Sequence, residues 1–184
     1  AQAHYNLGII LRNLGKLKEA KLFTRQAIEL NPNFADAHLN LGTILKSLDK
    51  LQEAEISTRK AIDINPDSDD AFFNLSHILL KLKNFQEGWK YFEWRWKIAK
   101  SKISIGEKLK TSKPEWVPNA GGRVLLWAEQ GLGDEILFAS LIPELVKNVD
   151  QLIIKVDKRL IPLYKRSFDQ KIIYIDKNIW VEED

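Results

Sequence analysis

The sequence predicts an α-solenoid of three helical hairpins, followed by a small α/β domain with a parallel sheet. A segment of 34 residues recurs along the first half of the chain, with apolar residues at helical spacing. Beyond about residue 122 the hydrophobic period changes, and short apolar runs alternate with helical segments, as in parallel sheets. The composition agrees with folded domains, because 45% of the residues are hydrophobic and 29% are charged.

The first two repeats, residues 1–34 and 35–68, are identical at roughly 19 positions. Gly8 and its equivalent Gly42 are small where two helices must approach closely, and Pro32 ends the unit because the residue before proline avoids the helical conformation. One hairpin cannot bury its own apolar face, so the units must stack. This pattern resembles the tetratricopeptide repeat over about half of the chain, which implies a protein or peptide partner.

The third repeat, residues 69–100, departs from this pattern and continues into an aromatic segment. Helical spacing predicts one face that packs back onto the array: Phe85, Trp89, Phe92 and Trp96. Another side is predicted to hold Tyr91, Trp94 and Ile98. We expect docking onto the following domain to involve Trp89, Tyr91, Trp94, Trp96 and Trp116. An aromatic platform for a substrate is the alternative interpretation.

The first helices of the hairpins are predicted to line a groove. An asparagine recurs there once per repeat, and a ladder of side-chain amides can hydrogen-bond the backbone of an extended peptide. The alternative is that these asparagines serve packing between repeats. The expected groove residues are Asn6, Asn40, Asn74, Tyr5, Phe73, His77, Arg12 and Lys46.

A connector, residues 101–122, is predicted between the repeats at 1–100 and the α/β part at 123–184. It is rich in Lys, Ser, Pro and Gly, as loops are. Trp116 lies between two prolines and is too large to leave in water. We therefore expect part of the connector to be pinned to a domain.

The α/β part is interpreted as a partial Rossmann-like lobe. The order β-α-β-α-β implies right-handed crossovers and a parallel sheet. The strands are predicted at 124–128, 152–156 and 171–175, and the helices at 136–146 and 159–168, with Pro143 as a kink or an early stop. A sheet of three strands leaves open edges, so we expect self-association through them.

The Gly-x-Gly turn after the first strand is the candidate site for chemistry. Ligands of parallel sheets bind beyond the carboxyl ends of the strands, and glycines let the backbone approach an anion at the start of a helix. The expected phosphate or ligand contacts are Glu129, Gln130, Gly131, Leu132 and Gly133. Asp134 has two interpretations: it caps the helix N-terminus, or it is a general base that faces the cleft.

Several motifs together resemble bacterial proteins in which tetratricopeptide repeats precede a heptosyltransferase-like domain. They are Gly88-Trp, Tyr91-Phe-Glu-Trp-Arg-Trp, Pro114-Glu-Trp and Leu125-Leu-Trp-Ala-Glu-Gln-Gly-Leu-Gly-Asp. The domain order is also similar to that of O-GlcNAc transferase. The resemblance implies a GT-B fold of the glycosyltransferase family 9 type, a parent protein that transfers a sugar from a nucleotide sugar to an acceptor, and Asp134 as the base.

The part of the lobe in this chain is expected to be incomplete. GT-B enzymes place most nucleotide-sugar contacts in a C-terminal lobe, whereas the sequence reaches Asp184 after about three predicted strands. We therefore expect no sugar transfer by this chain alone. The sequence has no methionine and starts inside a helical pattern, which favours an internal segment of a longer protein. The alternative function is a non-catalytic scaffold that binds peptides or proteins.

Charge and composition exclude several classes of partner and of binding site. The formal net charge of +3 gives no global field that would attract nucleic acid, so no such partner is expected. The absence of cysteine excludes disulfides and thiolate metal sites and suits a cytoplasmic location, and no cofactor or metal is predicted. No apolar run reaches the ~18 residues of a membrane-spanning helix.

Overall fold

The chain divides into two compact units, Ala1–Ser104 and Ile105–Asp184. The computed structural model describes residues 1–99, 109, 111–129, 131–168 and 170–179. Each unit has its own hydrophobic core. Within the described ranges, no helix is both long and apolar enough to cross a bilayer.

In the described part of the first unit, residues 1–99, three helical hairpins are followed by a short helix. The hairpins are α1 (Gln2–Asn13) with α2 (Leu17–Leu30), α3 (Ala35–Ser47) with α4 (Leu51–Ile64), and α5 (Asp69–Lys81) with α6 (Phe85–Phe92), and α7 (Arg95–Ala99) follows. Each first helix contacts the next one, α1 with α3 and α3 with α5, so these helices form one layer. The predicted helical solenoid is confirmed.

Two glycines show why the helices of a hairpin approach so closely. A Cβ atom added at Gly8 would collide with the hydroxyl of Thr24, and one added at Gly42 would collide with the hydroxyl of Thr58. The added atom at Gly42 would also lie 3.2 Å from the carbonyl oxygen of Ala54. The predicted role of Gly8 and Gly42 is therefore confirmed.

Apolar side chains of neighbouring hairpins meet in shared clusters. Leu45 of α3 and Ile78 of α5 belong to one cluster, and Ile44 of α3 packs with Leu11 of α1 in another. Ile44, Leu45 and Ile78 are almost completely buried. Each such side chain stabilises the stack by about 1.5–3 kcal/mol relative to exposure in water.

The aromatic segment of the third hairpin does not form one continuous helix. α6 ends at Phe92, and the chain turns at residues 93–94 before α7 begins. Arg95 holds this turn: its Nη1 donates to the carbonyl of Phe92 at 3.2 Å, and its guanidinium lies 4.6 Å from the ring of Phe92 and 4.4 Å from that of Trp96. The helical spacing that predicts one face from Phe85 to Trp96 therefore stops at the turn.

The aromatic residues pack only in part as predicted: Phe92 of the predicted face lies 5.9 Å from Phe73 of α5. Trp94 stacks on Phe72 of α5 with ring centroids 4.0 Å apart, and Tyr91 lies 5.4 Å from the same ring. Phe85 and Trp89 are 56% and 50% exposed. The prediction that Phe85 and Trp89 pack onto the array is wrong. Docking of the aromatic residues onto the following domain stays a prediction.

The second unit contains a parallel sheet in the order β1–β2–β3. The strands are β1 (Arg123–Trp127), β2 (Gln151–Val156) and β3 (Ile173–Asp176). Val124 pairs with Leu152, and Ile153 pairs with Ile173. Between β1 and β2 lie α8 (Leu132–Phe138), a 3-10 turn (Ala139–Leu141) and α9 (Ile142–Val146), and α10 (Ile161–Ser167) precedes β3. The predicted small parallel sheet is confirmed.

The predicted helix at 136–146 is divided in the structure. α8 begins at Leu132, and the 3-10 turn separates it from α9. Pro143 lies in the first turn of α9, where its missing N–H has no intrahelical partner to lose. Pro143 therefore begins the last helical segment, and the helix predicted at 136–146 is interrupted in the turn before this proline.

The core of the second unit lies between one face of the sheet and its helices. It contains Val124, Leu152, Ile154, Val156, Ile142, Leu160 and Tyr164. Trp116 packs against this core, and its Nε1 donates to the carbonyl of Gly121 at 3.2 Å. The prediction that Trp116 pins the connector to a domain is confirmed.

Candidate binding surface and strand-end site

Asn40 links the first two hairpins through both ends of its side-chain amide. Arg12 Nη1 donates to Asn40 Oδ1 at 2.6 Å, and Asn40 Nδ2 donates to Thr24 Oγ1 at 3.1 Å. Asn40 is only 3% exposed, and Thr24 is fully buried. A peptide would have to displace these bonds in order to use the amide.

The same arrangement recurs one repeat later at Asn74. Lys46 Nζ donates to Asn74 Oδ1 at 2.6 Å, and Asn74 Nδ2 donates to Thr58 Oγ1 at 3.3 Å. Asn74 is 9% exposed. Packing between repeats, the alternative that the sequence left open, therefore accounts for Asn40 and Asn74. Burial and internal hydrogen bonds withdraw both amides from the surface, and peptide contact by Asn40 or Asn74 stays a prediction.

Asn6, the equivalent residue of the first hairpin, lies in a different environment. It is exposed, and its Oδ1 accepts a hydrogen bond from Gln2 Nε2 at 2.9 Å. Within the described residues, no hairpin packs against its side of α1. Of the three predicted groove asparagines, Asn6 is thus the one whose amide lies at the surface.

The layer of first helices is polarised along the helix axes. Each first helix has a basic residue in its last turn: Arg12 in α1, Lys46 in α3 and Lys81 in α5. The first turns of α3 and α5 instead hold acids, among them Asp36 and Asp70. The C-terminal edge of this layer is therefore basic and its N-terminal edge is acidic.

Lys46 lies half-buried in the basic edge. Burial lowers the pKa of its ammonium, and the neighbouring Lys81 lowers it further. Burial also lowers the pKa of His77, although its hydrogen bond with the carbonyl oxygen of Phe73, 2.9 Å away, opposes the shift, and Lys46 adds to the lowering. The charge that lowers the pKa of Lys46 is that of Lys81, and the charge that lowers the pKa of His77 is that of Lys46. Because positive charges lie close together here, binding of an anion is favoured in this region.

Aromatic rings surround His77 in this region. The ring of Phe73 is 4.4 Å from that of His77, and Phe92 lies 5.9 Å from both rings. At the first hairpin, Tyr5 packs against Phe34 at 4.8 Å. The structure therefore brings together the predicted groove residues of the second and third hairpins, whereas Tyr5 lies on the first.

The turn at residues 131–134 follows β1 at the carboxyl edge of the sheet. Gly131 is the N-cap of α8, and Asp134 is the third residue of the helix, without a side-chain cap hydrogen bond. The interpretation of Asp134 as the helix cap is therefore wrong, because the helix begins earlier than the sequence suggested. The general-base interpretation of Asp134 stays a prediction.

The expected phosphate contacts at this turn differ in exposure. Gly131 and Gly133 are exposed, Glu129 is half-buried, Leu132 packs against the core, and Gln130 lies outside the described residues. α8 has only seven residues, and its first turn contains the acids Asp134 and Glu135. The positive end of the helix dipole therefore already faces two carboxyl groups. Phosphate binding at the turn stays a prediction.

A charge cluster around the buried carboxyl group of Glu135 lies at the same edge, and no local sequence pattern indicates it. The side chain of Glu135 is 2% exposed and accepts hydrogen bonds from the backbone N–H of Asp157 at 2.9 Å and from Lys177 Nζ at 2.7 Å. Two hydrogen bonds from the Arg159 side chain, at 2.9 and 2.8 Å, hold the pKa of Asp157 well below its usual range. Each acid in this cluster is paired with a base, so the cluster ties α8 to the segments after β2 and β3.

Comparison with known proteins agrees with the helical geometry of the first unit. Family models described as the tetratricopeptide repeat match residues 1–34 and 23–56. Protein FlbA of Caulobacter vibrioides (strain ATCC 19089 / CIP 103742 / CB 15) is 31% identical over 101 residues, which cover 52% of this chain. This chain spans about a sixth of the length of that curated relative, 16%.

Several solved structures are similar to about half of the chain. The MamA RS-1 ArsTM double mutant is 19% identical with a TM-score of 0.50, over 54% of this chain and 56% of that chain. YrrB, described as a TPR protein with an unusual peptide-binding site, is 23% identical with a TM-score of 0.49, over 53% and 50%. The second TPR of Spaghetti (RPAP3), bound to an HSP90 peptide, is 21% identical with a TM-score of 0.49, over 50% and 85%.

The sequence period, the hairpins and the family match all lie in the same part of the chain. The likeness to the MamA mutant concerns the fold alone, because its sequence identity is low. The close glycine contacts and the hydrogen bonds of Asn40 and Asn74 recur with the same period as the matched repeats. The first unit of this chain is therefore built of tetratricopeptide repeats.

Proposed function

We propose that the first unit is a protein-interaction module that holds an extended, acidic segment of a partner protein along α1, α3 and α5. One observation carries the proposal: the half-buried ammonium of Lys46 lies near Lys81 and near His77, and the ring of His77 contacts that of Phe73. Burial disfavours the charged form of Lys46, and a nearby anion would restore it. The carboxylates of Asp or Glu in a partner supply such an anion.

The surface near Lys46 can also contact apolar side chains of the partner's extended segment. Phe73 and Phe92 are half-buried, so each ring keeps area for contact with an apolar side chain. The polarised layer sets the orientation, because acidic residues are favoured over the last turns of α3 and α5. Basic residues of the partner are favoured near Asp36 in the first turn of α3.

Lys81→Gln is the first test, because Lys81 is exposed at the basic edge. Lys46 is less suitable, since it also donates a hydrogen bond to Asn74 that links two hairpins. We expect the substitution to weaken the binding of an acidic peptide by about 1 kcal/mol, which is roughly a fivefold rise in Kd. The loss should be smaller at high salt. The measurement is fluorescence anisotropy with a labelled peptide of alternating Glu and Leu.

Two controls accompany this measurement. Lys60→Gln removes an exposed lysine from α4, a second helix, and should leave the affinity unchanged. A peptide of alternating Lys and Leu should bind more weakly than the acidic one. Equal binding of the two peptides, or equal losses in the two variants, would contradict the acidic preference.

A second candidate function concerns the second unit. We propose that it begins a glycosyltransferase lobe of the GT-B type, whose parent protein uses a nucleotide sugar as donor. The parallel order of the strands and the position of Asp134 beyond the carboxyl end of β1 support this candidate. The carboxyl group of Asp134 in the first turn of α8 weighs against it, because it repels a phosphate, whereas the charge of Glu135 is balanced by Lys177.

Incubation with nucleotide sugars tests the second candidate. We expect no sugar transfer by the 184 residues alone, and transfer by a longer chain that adds the remaining lobe. Asp134→Asn should abolish transfer if Asp134 is the base, whereas Glu144→Gln, an exposed acid of α9, should not. Transfer that survives Asp134→Asn would remove Asp134 from this role, and an inactive longer chain would remove the candidate.

A further inference from the structure

Two side chains of α5 and one of α3 bring basic groups to a single face of α5. Asn74, His77 and Lys81 follow the spacing i, i+3, i+7, which puts them on the same side of the helix. Lys46 of α3 reaches the same side, because its Nζ donates to Asn74 Oδ1 at 2.6 Å. We define the basic cluster as Lys46, His77 and Lys81.

The packing of the repeats explains one member of the basic cluster, Lys46. Arg12 holds the equivalent position one repeat earlier and donates to Asn40 as Lys46 donates to Asn74. A base at this position therefore recurs with the interface between hairpins. Lys46 thus has a structural role besides the charge that it brings.

The other two members have no basic equivalents in α3, where Thr43 and Ser47 occupy the positions of His77 and Lys81. Thr43 Oγ1 donates to the carbonyl four residues earlier at 3.1 Å, and His77 makes the same backbone contact through Nδ1 at 2.9 Å. Ser47 Oγ also donates to the carbonyl four residues earlier, at 3.1 Å. Neutral side chains therefore suffice for packing at these two positions, and the bases of α5 are available for a ligand.

The described residues do not neutralise the basic cluster. Within residues 1–99, neither Lys46 nor Lys81 is ion-paired with an acid, whereas Arg25 of the same unit pairs with Glu53 at 3.3 Å. Burial lowers the pKa of Lys46, and Lys81 lowers it further. Burial also lowers the pKa of His77, and the charge of Lys46 adds to this lowering. The fold therefore holds these bases close together without a counter-ion from that part of the chain.

We propose that the basic cluster binds a phosphorylated serine or threonine of the partner's extended segment more tightly than it binds a carboxylate. This inference rests on the proposed function, since the same acidic segment carries the phosphate. A phosphate monoester has about −1.5 to −2 charges at pH 7 and three strong acceptor oxygens, whereas a carboxylate has one charge and two oxygens. The higher charge offsets the repulsion between neighbouring bases more completely.

The donors of the basic cluster suit the oxygens of a phosphate. Lys46 uses one of its three N–H groups for the asparagine of α5, so two remain, and Lys81 is exposed. His77 donates to a carbonyl through Nδ1, so Nε2 is the nitrogen that donates to a phosphate oxygen once the ring is protonated. The rings of Phe73 and Phe92 lie 4.4 and 5.9 Å from that of His77. They displace water, which strengthens an ionic contact there.

Three labelled peptides test this preference on the 184-residue chain at about pH 7.5, where a phosphate monoester is mostly dianionic. Each peptide alternates Glu and Leu, and the three differ only at a central position, which holds glutamate, serine or phosphoserine. We expect the phosphoserine peptide to bind about fivefold more tightly than the glutamate peptide, and the serine peptide to bind most weakly. Fluorescence anisotropy gives the three Kd values.

The double variant His77→Thr/Lys81→Ser gives α5 the two residues that α3 has at these positions. It should unfold at nearly the same urea concentration, because Thr and Ser can make the backbone hydrogen bonds that Thr43 and Ser47 make. We expect the ratio of the Kd values for the glutamate and phosphoserine peptides to fall from about five to about one. Lys81→Gln alone, at an exposed position, should lower this ratio to about two, and Lys60→Gln on α4 should leave it unchanged.

The outcomes separate this inference from the proposed function. Equal Kd values for the phosphoserine and glutamate peptides, both lower than that of a peptide of alternating Lys and Leu, would overturn the inference and leave the acidic preference standing. A phosphoserine advantage that survives the double variant would also overturn it, because the phosphate would then be bound elsewhere. Binding of the phosphoserine peptide alone would support the inference and contradict carboxylate binding. If neither acidic peptide binds better than the Lys-Leu peptide, both proposals fail.

Discussion

At the scale of single residues, identical side chains have different roles because their neighbours differ. Asn6 and Asn40 occupy the same repeat position, yet Asn40 is buried between two hairpins while Asn6 is exposed. The amide of Asn40 joins Arg12 to Thr24, and the amide of Asn6 contacts Gln2 within its own helix. The residue type alone therefore does not predict how far the amide is buried, because the burial of Asn40 comes from its contact with Thr24 of the neighbouring hairpin.

Asn40→Ala tests the packing role of this residue. We expect the free energy of unfolding to fall by about 1–3 kcal/mol, because Thr24 is left buried without the amide that donates to it. Asn6→Ala is the matched control and should change stability by less than about 0.5 kcal/mol, since Asn6 is exposed. Urea unfolding measures both, and equal losses in the two variants would contradict the assignment.

At the scale of elements, the turn between α6 and α7 decides which aromatic residues stabilise the array. Helical spacing is reliable only while a helix continues, and α6 ends at Phe92. The turn brings Trp94 onto Phe72, and Trp89 keeps half of its surface exposed. The turn, which Arg95 stabilises, therefore accounts for the position of Trp94, but it does not account for the exposure of Trp89, which lies before the turn on α6.

Two tryptophans in this segment form a matched pair for testing that packing. Trp94→Ala should lower the free energy of unfolding by about 2–3 kcal/mol, because it removes a ring stacked on Phe72 and covered by the ammonium of Lys97, 3.5 Å away. Trp89→Ala should cost less than about 1 kcal/mol, because half of its surface is exposed. A larger loss for Trp89→Ala in urea unfolding would show that Trp89 is the better-packed residue.

At the scale of the whole molecule, the two units differ in how their long-range contacts are arranged. In the repeats, the side-chain contacts between hairpins span 28 or 16 residues and recur, so one hairpin predicts the next. In the second unit, Glu135 meets Asp157 across 22 residues and Lys177 across 42 residues, and nothing repeats. Extrapolation along the sequence therefore works in the first unit and has no basis in the second.

The sequence by itself determined the features that arise from local order: the 34-residue period, the hairpins, and the alternation of strands and helices that gives a parallel sheet. These follow from periodicity and from turn residues, which act over a few positions. Only the tertiary structure decided that Asn40 and Asn74 are buried and that Glu135 is paired with Lys177. Such outcomes depend on which distant groups approach in space, and burial and charge pairing are properties of that approach.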